Sequence, residues 1–152
     1  NIAATVSLDR LCVYSIGNGN LIRVIEPPQN FLDLPDGCEI KTTFARAPAL
    51  AISVQGFIVA VCESRVQSST SRNQDRNVTT LHLFSLEGVP LGSKPLESWR
   101  GVPHKMLCTP DGTTVLVCSG RGVTSHRLSA ITPLEFIDEW HITETDELTS
   151  SV

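Results

Sequence analysis

The 152-residue sequence contains no apolar run near the roughly 18 residues that a helix needs to cross a bilayer, and no signal-peptide pattern opens it. It also contains no C-x-x-C pair. Its five cysteines, Cys12, Cys38, Cys62, Cys108 and Cys118, are scattered and odd in number, which removes the usual zinc and thioredoxin-like spacings. Cys12, Cys62 and Cys118 sit inside apolar runs, where a free thiol behaves as a small hydrophobe. The expectation is therefore reduced thiols in a cytosolic protein rather than disulfides. Only the sequon Asn77-Val78-Thr79 points the other way, and it matters in a secreted chain alone. A basic excess is missing too: the formal net charge of -4 argues against a general nucleic-acid binder. Nor does any stretch carry a sustained helical apolar period with caps.

Apolar residues at 41% and charged residues at 18% make a globular chain. What recurs is a short β-branched run, a tight Gly/Asn/Asp turn and another short run. "IAATVS" (2–7), "LCVYSI" (11–16) and "LIRVIE" (21–26) form a first group, with "GNGN" (17–20) as a turn that tolerates positive φ. Pro27-Pro28 rules out a helix where the chain leaves it. "ALAISV" (49–54), "FIVAVCE" (57–63), "TTLHLFSL" (79–86) and "VPLGS" (89–93) form a second. "HKMLCT" (104–109), "TTVLVCS" (113–119), "GVTSHRLS" (122–129) and "LEFIDEW" (134–140) form a third, with the turn Pro110-Asp111-Gly112 between its first two runs. The predicted fold is all-β. The third group is close to the ~40–45 residue period of a WD-repeat propeller blade, so the expected units are 1–26, 49–93 and 102–141, followed by an acidic tail, 142–152. The first lacks an innermost strand. Fewer than three complete blades cannot close a ring of about four to eight. The expectation is thus a partial propeller cut from a larger chain, consistent with a first residue that is Asn rather than Met. Alone, it should expose open sheet faces and aggregate.

Two segments resemble a WD repeat: "CTPDGTTVLVCSG", with its strand-turn-strand order, and "GVTSHRLS", placed where the third strand would end in Trp-Asp. Here that pair is His126-Arg127, with Phe84-Ser85 and Tyr14-Ser15 in the earlier groups, and Gly101 and His104 replace a Gly-His dipeptide. In order and spacing, "LIRVIEPP" (21–28), "LAISVQGFIVAV" (50–61) and "LHLFSLEGVPLGS" (81–93) resemble the C-terminal WD-repeat region of BEACH-domain proteins, neurobeachin and its beige-like relatives. The resemblance covers about two thirds of the chain and fades after Ser98. It implies a non-catalytic protein-interaction scaffold in vesicle and membrane trafficking, cytoplasmic and peripheral on membranes through its parent. Its partners would be other proteins at the propeller's top face, besides the remaining blades and the BEACH domain, with no nucleic acid, no direct membrane insertion and no cofactor.

No catalytic constellation and no metal set emerges. Gly17-Asn18-Gly19 and Gly120-Arg121-Gly122 lack the third glycine and the helix of a dinucleotide loop, and G-x-S-x-G is absent. His82, His104, His126 and His141 are scattered, and a strand would send Ser125 and His126 to opposite faces. An enzyme built on a propeller is the competing class. It needs convergent carboxylates or nucleophiles, but the inner strands carry no carboxylate and offer almost nothing polar except Ser53, His104 and Thr109. Another WD-repeat platform, such as a ubiquitin-ligase adaptor, is a third.

Two insertions in the second group are expected to share a face of the disc. The first, 27–48, carries Phe31, Leu32, Leu34 and Phe44; the second, 64–77, carries Arg65, Arg72 and Arg76 among serines. These seven residues are the candidates for partner binding. The plainer alternative packs the apolar four over their own blade and leaves the second segment a solvated loop. Phosphorylation of Ser68, Ser69, Thr70 or Ser71 would add nearly two negative charges beside the arginines. Trp99 is expected to plug a seam between blades or to anchor a partner. From Glu135 onward there are six acidic residues and no Lys or Arg, which disfavours contact with anionic lipid.

Overall fold

The computed structural model describes residues 1–29, 31–45, 50–70, 75–96 and 103–141. Among them no helix is long and apolar enough to cross a membrane, and the regular structure consists of twelve strands in three antiparallel sheets. The first sheet has the order β1 (Ile2–Val6), β2 (Leu11–Ser15), β3 (Leu21–Ile25). The second contains β4 (Cys38–Phe44), β5 (Leu50–Ile52), β6 (Phe57–Ser68), β7 (Arg76–Ser85) and β8 (Pro90–Pro95). Its order is β4-β6-β7-β8, with β5 on the same edge of β6 as β4. The third runs β9 (Lys105–Cys108), β10 (Thr114–Ser119), β11 (Gly122–Arg127), β12 (Glu135–His141). Prolines 90 and 95 fall in β8, an edge strand, where a missing N–H breaks no ladder.

The second sheet is buried on both faces. Val59 and Val61 of β6, with Leu81 and Leu83 of β7, pack against Met106, Val115, Val117, Leu128 and Leu134 of the third sheet and its loops. From the opposite face Ile58, Ala60, Cys62 and Phe84 pack against Leu11, Val13 and Ile25 of the first sheet. This explains why these strands read as continuous apolar runs rather than alternating ones. Each large side chain so buried contributes roughly 1.5–3 kcal/mol. Leu134 holds φ = 56°, a conformation unusual for a bulky residue, and complete burial in the core keeps it there.

Hydrogen bonds join the sheets at their turns. The Ser53 hydroxyl, in the β5–β6 turn, donates to the Gly112 carbonyl in the β9–β10 turn at 2.6 Å, and Gln55 Nε2 donates to the Asp111 carbonyl at 2.8 Å. Of the strands of these two sheets, β5 and β9 lie most extensively against one another. At the other seam the Phe44 N–H donates to the Leu8 carbonyl at 2.9 Å.

Three antiparallel sheets in chain order agree with the all-β expectation, but the second differs from a four-stranded blade. Residues 27–48 are not all loop: Cys38–Phe44 is β4, so the sheet has five strands. Likewise 64–77 is not a free loop, because β6 runs to Ser68 and β7 starts at Arg76. The reason lies in a period of two hidden by charge. Glu39, Lys41 and Thr43 alternate with Ile40, Thr42 and Phe44, and Arg65 and Gln67 alternate with Ser64 and Val66. The two insertions do meet, as paired strands. Trp99 and the tail 142–152 lie outside the described residues.

Gly112 has φ = 75°, and a Cβ there would lie 2.7 Å from both Ser53 Oγ and Val54 Cγ2. Gly112→Ala should therefore lower stability to urea by roughly 2–4 kcal/mol, against ~1 kcal/mol for Ser53→Ala, which removes the bond to the Gly112 carbonyl and a local one from the Gln55 N–H. Equal losses would contradict a close turn-to-turn contact.

Candidate functional site

Beyond Cys62 the second sheet outgrows its neighbours. The burial of β6 changes there from continuous to alternating, with Glu63, Arg65 and Gln67 exposed and Ser64 and Val66 buried. β4, the outer half of β6 and the first residues of β7 thus form a three-stranded arm with one open face. Cross-strand pairing sets two rows on that face: Lys41–Arg65–Asn77 and Thr43–Glu63–Thr79. They line a concavity of about 410 Å³. Lys41 and Arg65 stand directly opposite one another, and neither has an ion-pair partner among the described residues. Like charges so placed disfavour the pairing by an amount comparable to the ~0.2–1 kcal/mol that a favourable cross-strand pair contributes.

The arm's other face is closed. The hydroxyls of Thr42 and Ser64 hydrogen bond at 2.8 Å, and Thr80, His82 and Val66 are buried on the same side. A strap, the chain between β3 and β4, crosses here. Gln29 accepts from the Thr42 N–H at 2.9 Å and donates to the Thr42 carbonyl at 3.0 Å, so one side-chain amide occupies the open edge of β4 as another strand would. Phe31 then sets its ring edge-on to His82, centroids 4.6 Å apart, and His82 lies over Phe84. His82 is 2% exposed, its Nε2 and the Thr80 hydroxyl have no hydrogen-bond partner among the described residues, and burial holds its pKa down to about 4.

The candidate residues separate accordingly. Phe31, Leu32 and Leu34 are half-buried in the strap. Phe44 ends β4 and is 0% exposed in the core, so it is not on a presented loop. Arg65 belongs to the open groove, whereas Arg76 pairs with Val66 on the opposite face, and Arg72 lies outside the described residues. Sequence reasoning missed Lys41, Asn77, Thr43 and Thr79 because their juxtaposition exists only once β4 is recognised as a strand. At the arm's tip Ser69 donates from both its N–H (2.9 Å) and its hydroxyl (3.0 Å) to the Gly37 carbonyl.

No disulfide joins the five cysteines, and burial pushes the Cys62 thiol up to about 12. Ser125 and His126 occupy opposite faces of β11, Ser125 paired with Leu116 and His126 with Val115. Among the described residues no three His, Cys, Asp or Glu side chains converge as metal ligands.

Below pH 6.5 the unfolded chain protonates His82 while the folded chain resists until about pH 4. Stability should therefore decline as pH falls through that window, by up to about 3 kcal/mol at its acid end. Urea denaturation of His82→Leu should show that slope flattened; an unaltered slope would place the proton uptake elsewhere. Compared with known families and curated proteins, the chain matches no family model and no curated sequence.

Proposed function

We propose that the chain is part of a WD-repeat-type β-propeller, carried by a BEACH-type scaffold of vesicle and membrane trafficking, and that it works by presenting a surface to other proteins. One observation carries the propeller assignment: the second sheet is packed between two others, and hydrogen bonds connect the turns at corresponding positions of the second and third. Inner strands β5 and β9 lie side by side, as strands around a common axis would. The two outermost faces carry apolar patches, interrupted on the third sheet by Lys105 and Asp138. On the first sheet they carry Leu21, Ile22 and Val24 beside Cys12 and Tyr14, and on the third Leu107 and Trp140 beside Leu116, Cys118 and Val123. Patches of that kind need covering, and further sheets of the same architecture would cover both. The platform role is supported by the resemblance and by the arm, a rigid three-stranded projection whose open face is polar while everything behind it is packed. In this account the scaffold reaches cytoplasmic membranes through its parent rather than by inserting.

Cys12 and Cys118 lie half-buried on the two outer faces, whereas Cys62 is in the core. Maleimide should label Cys12 and Cys118 in the 152-residue chain and fail to label them in the native parent, with Cys62 protected in both. Cys12 and Cys118 equally reactive in the parent would contradict blade packing on those faces. For the platform role, shortening 69–75 or replacing the strap 27–37 should each change the proteins recovered with the parent, and unchanged recovery in both would contradict it.

A further inference from the structure

We infer that the open face of the arm is a docking groove for a phosphorylated segment of a partner protein, its phosphate held by Lys41, Arg65 and Asn77. The partner rests on the platform role proposed above; the anion chemistry rests on the groove alone. The first support is the opposition of Lys41 and Arg65, two cations placed face to face across β4 and β6 with no acidic group in ion-pair range among the described residues. An anion between them would convert a repulsive pair into two attractive contacts. The second is the donor set around them. The Asn77 carboxamide and the Thr43 and Thr79 hydroxyls line the same concavity and make no side-chain hydrogen bond to any described residue. Guanidinium, ammonium, amide and two hydroxyls together offer more donors than a carboxylate with two oxygens can use, and suit the three terminal oxygens of a phosphate ester.

Glu63 decides between anions. It lies in the row beside Lys41 and Arg65, so the groove carries two cations against one carboxylate. A carboxylate ligand with a single charge would be largely offset by Glu63, whereas a phosphomonoester carries about -1.5 to -2 at neutral pH and is still attracted. Arg65 can engage two phosphate oxygens at once, and Lys41 acts as a point charge. About 410 Å³ is far more than a phosphate needs, leaving room for the residues flanking it. Bilayer contact is disfavoured because Glu39 and Glu63 project from the same face and the chain's net charge is -4.

The test uses arrays of degenerate nonapeptides with a central phosphoserine or phosphothreonine, the same arrays unphosphorylated, and the same arrays with central aspartate. The best sequences are then titrated by fluorescence polarisation against the full parent chain. Binding should require the phosphate and weaken with salt. Lys41→Ala and Arg65→Ala should each reduce affinity about tenfold, Arg65→Lys should fall between Arg65→Ala and the native residue, and Glu63→Gln should tighten binding several-fold. Lys105→Ala, on the third sheet, should change nothing. Thermal melts of the exposed-site variants should be no lower than the parent's, and slightly higher for Lys41→Ala and Arg65→Ala, which relieve the like-charge opposition, so that weakened binding is not unfolding. Equal binding of unphosphorylated or aspartate peptides, or indifference to Lys41→Ala and Arg65→Ala, would overturn the assignment. So would loss of binding to phosphatidylserine vesicles, rather than to peptides, in the same variants. Because thiol labelling reports on blade packing and polarisation on the groove, either proposal can fail without the other.

Discussion

Burial of both faces of the second sheet is the constraint on which the rest of the structure depends. A sheet covered on one side alternates apolar and polar residues, but a sheet covered on both must be apolar at every position. Ile58 through Cys62 and Leu81 through Phe84 meet that requirement with a single polar exception, His82. The exception is costly, since its ring is forced neutral and one nitrogen goes unpartnered among the described residues. Neither neighbouring sheet can be removed without exposing a continuous apolar surface, so the three sheets stand or fall together.

The arm begins where that constraint lapses. At Glu63 the strand regains alternation, and from there its two faces have different fates. One is closed by a strap that uses Gln29 to finish the β4 edge and Phe31 to cap His82. The other stays open and polar. Rigidity comes from the packed half of β6 and β7, while chemistry is confined to the projecting half. A groove built on strands continuous with a core is held in place without loop ordering at the moment of binding, which keeps the entropic cost of association low.

Much of this was legible in the sequence. Apolar runs punctuated by Asn-Gly and Asp-Gly turns specified strands and sheet membership well, because turn residues needing positive φ leave a compositional mark. The doubly apolar character of "LHLF" is what a strand between two layers requires. β4 was harder: Glu39 and Lys41 interrupt what looks like a loop rich in proline and acid, and only pairing with Arg65 and Gln67 makes their alternation meaningful. The same blindness hid the groove. Arg65 was visible as one of several arginines near serines, but Lys41, 24 positions earlier, becomes its neighbour only through cross-strand register. Phe44 was misplaced for a related reason, since an apolar residue at the end of an unrecognised strand reads as a loop anchor. The strap's Phe31 follows the plainer of the two expectations, as a cover for its own sheet.

Residue-resolved hydrogen exchange on the native chain tests the central claim most directly. Amides of 57–62 and 80–85 should exchange only through global opening, together with those of β10, while 63–68 exchange faster through local opening of the arm. Exchange in 57–62 as fast as in 63–68, with β2 and β10 still protected, would contradict a second sheet held between the other two.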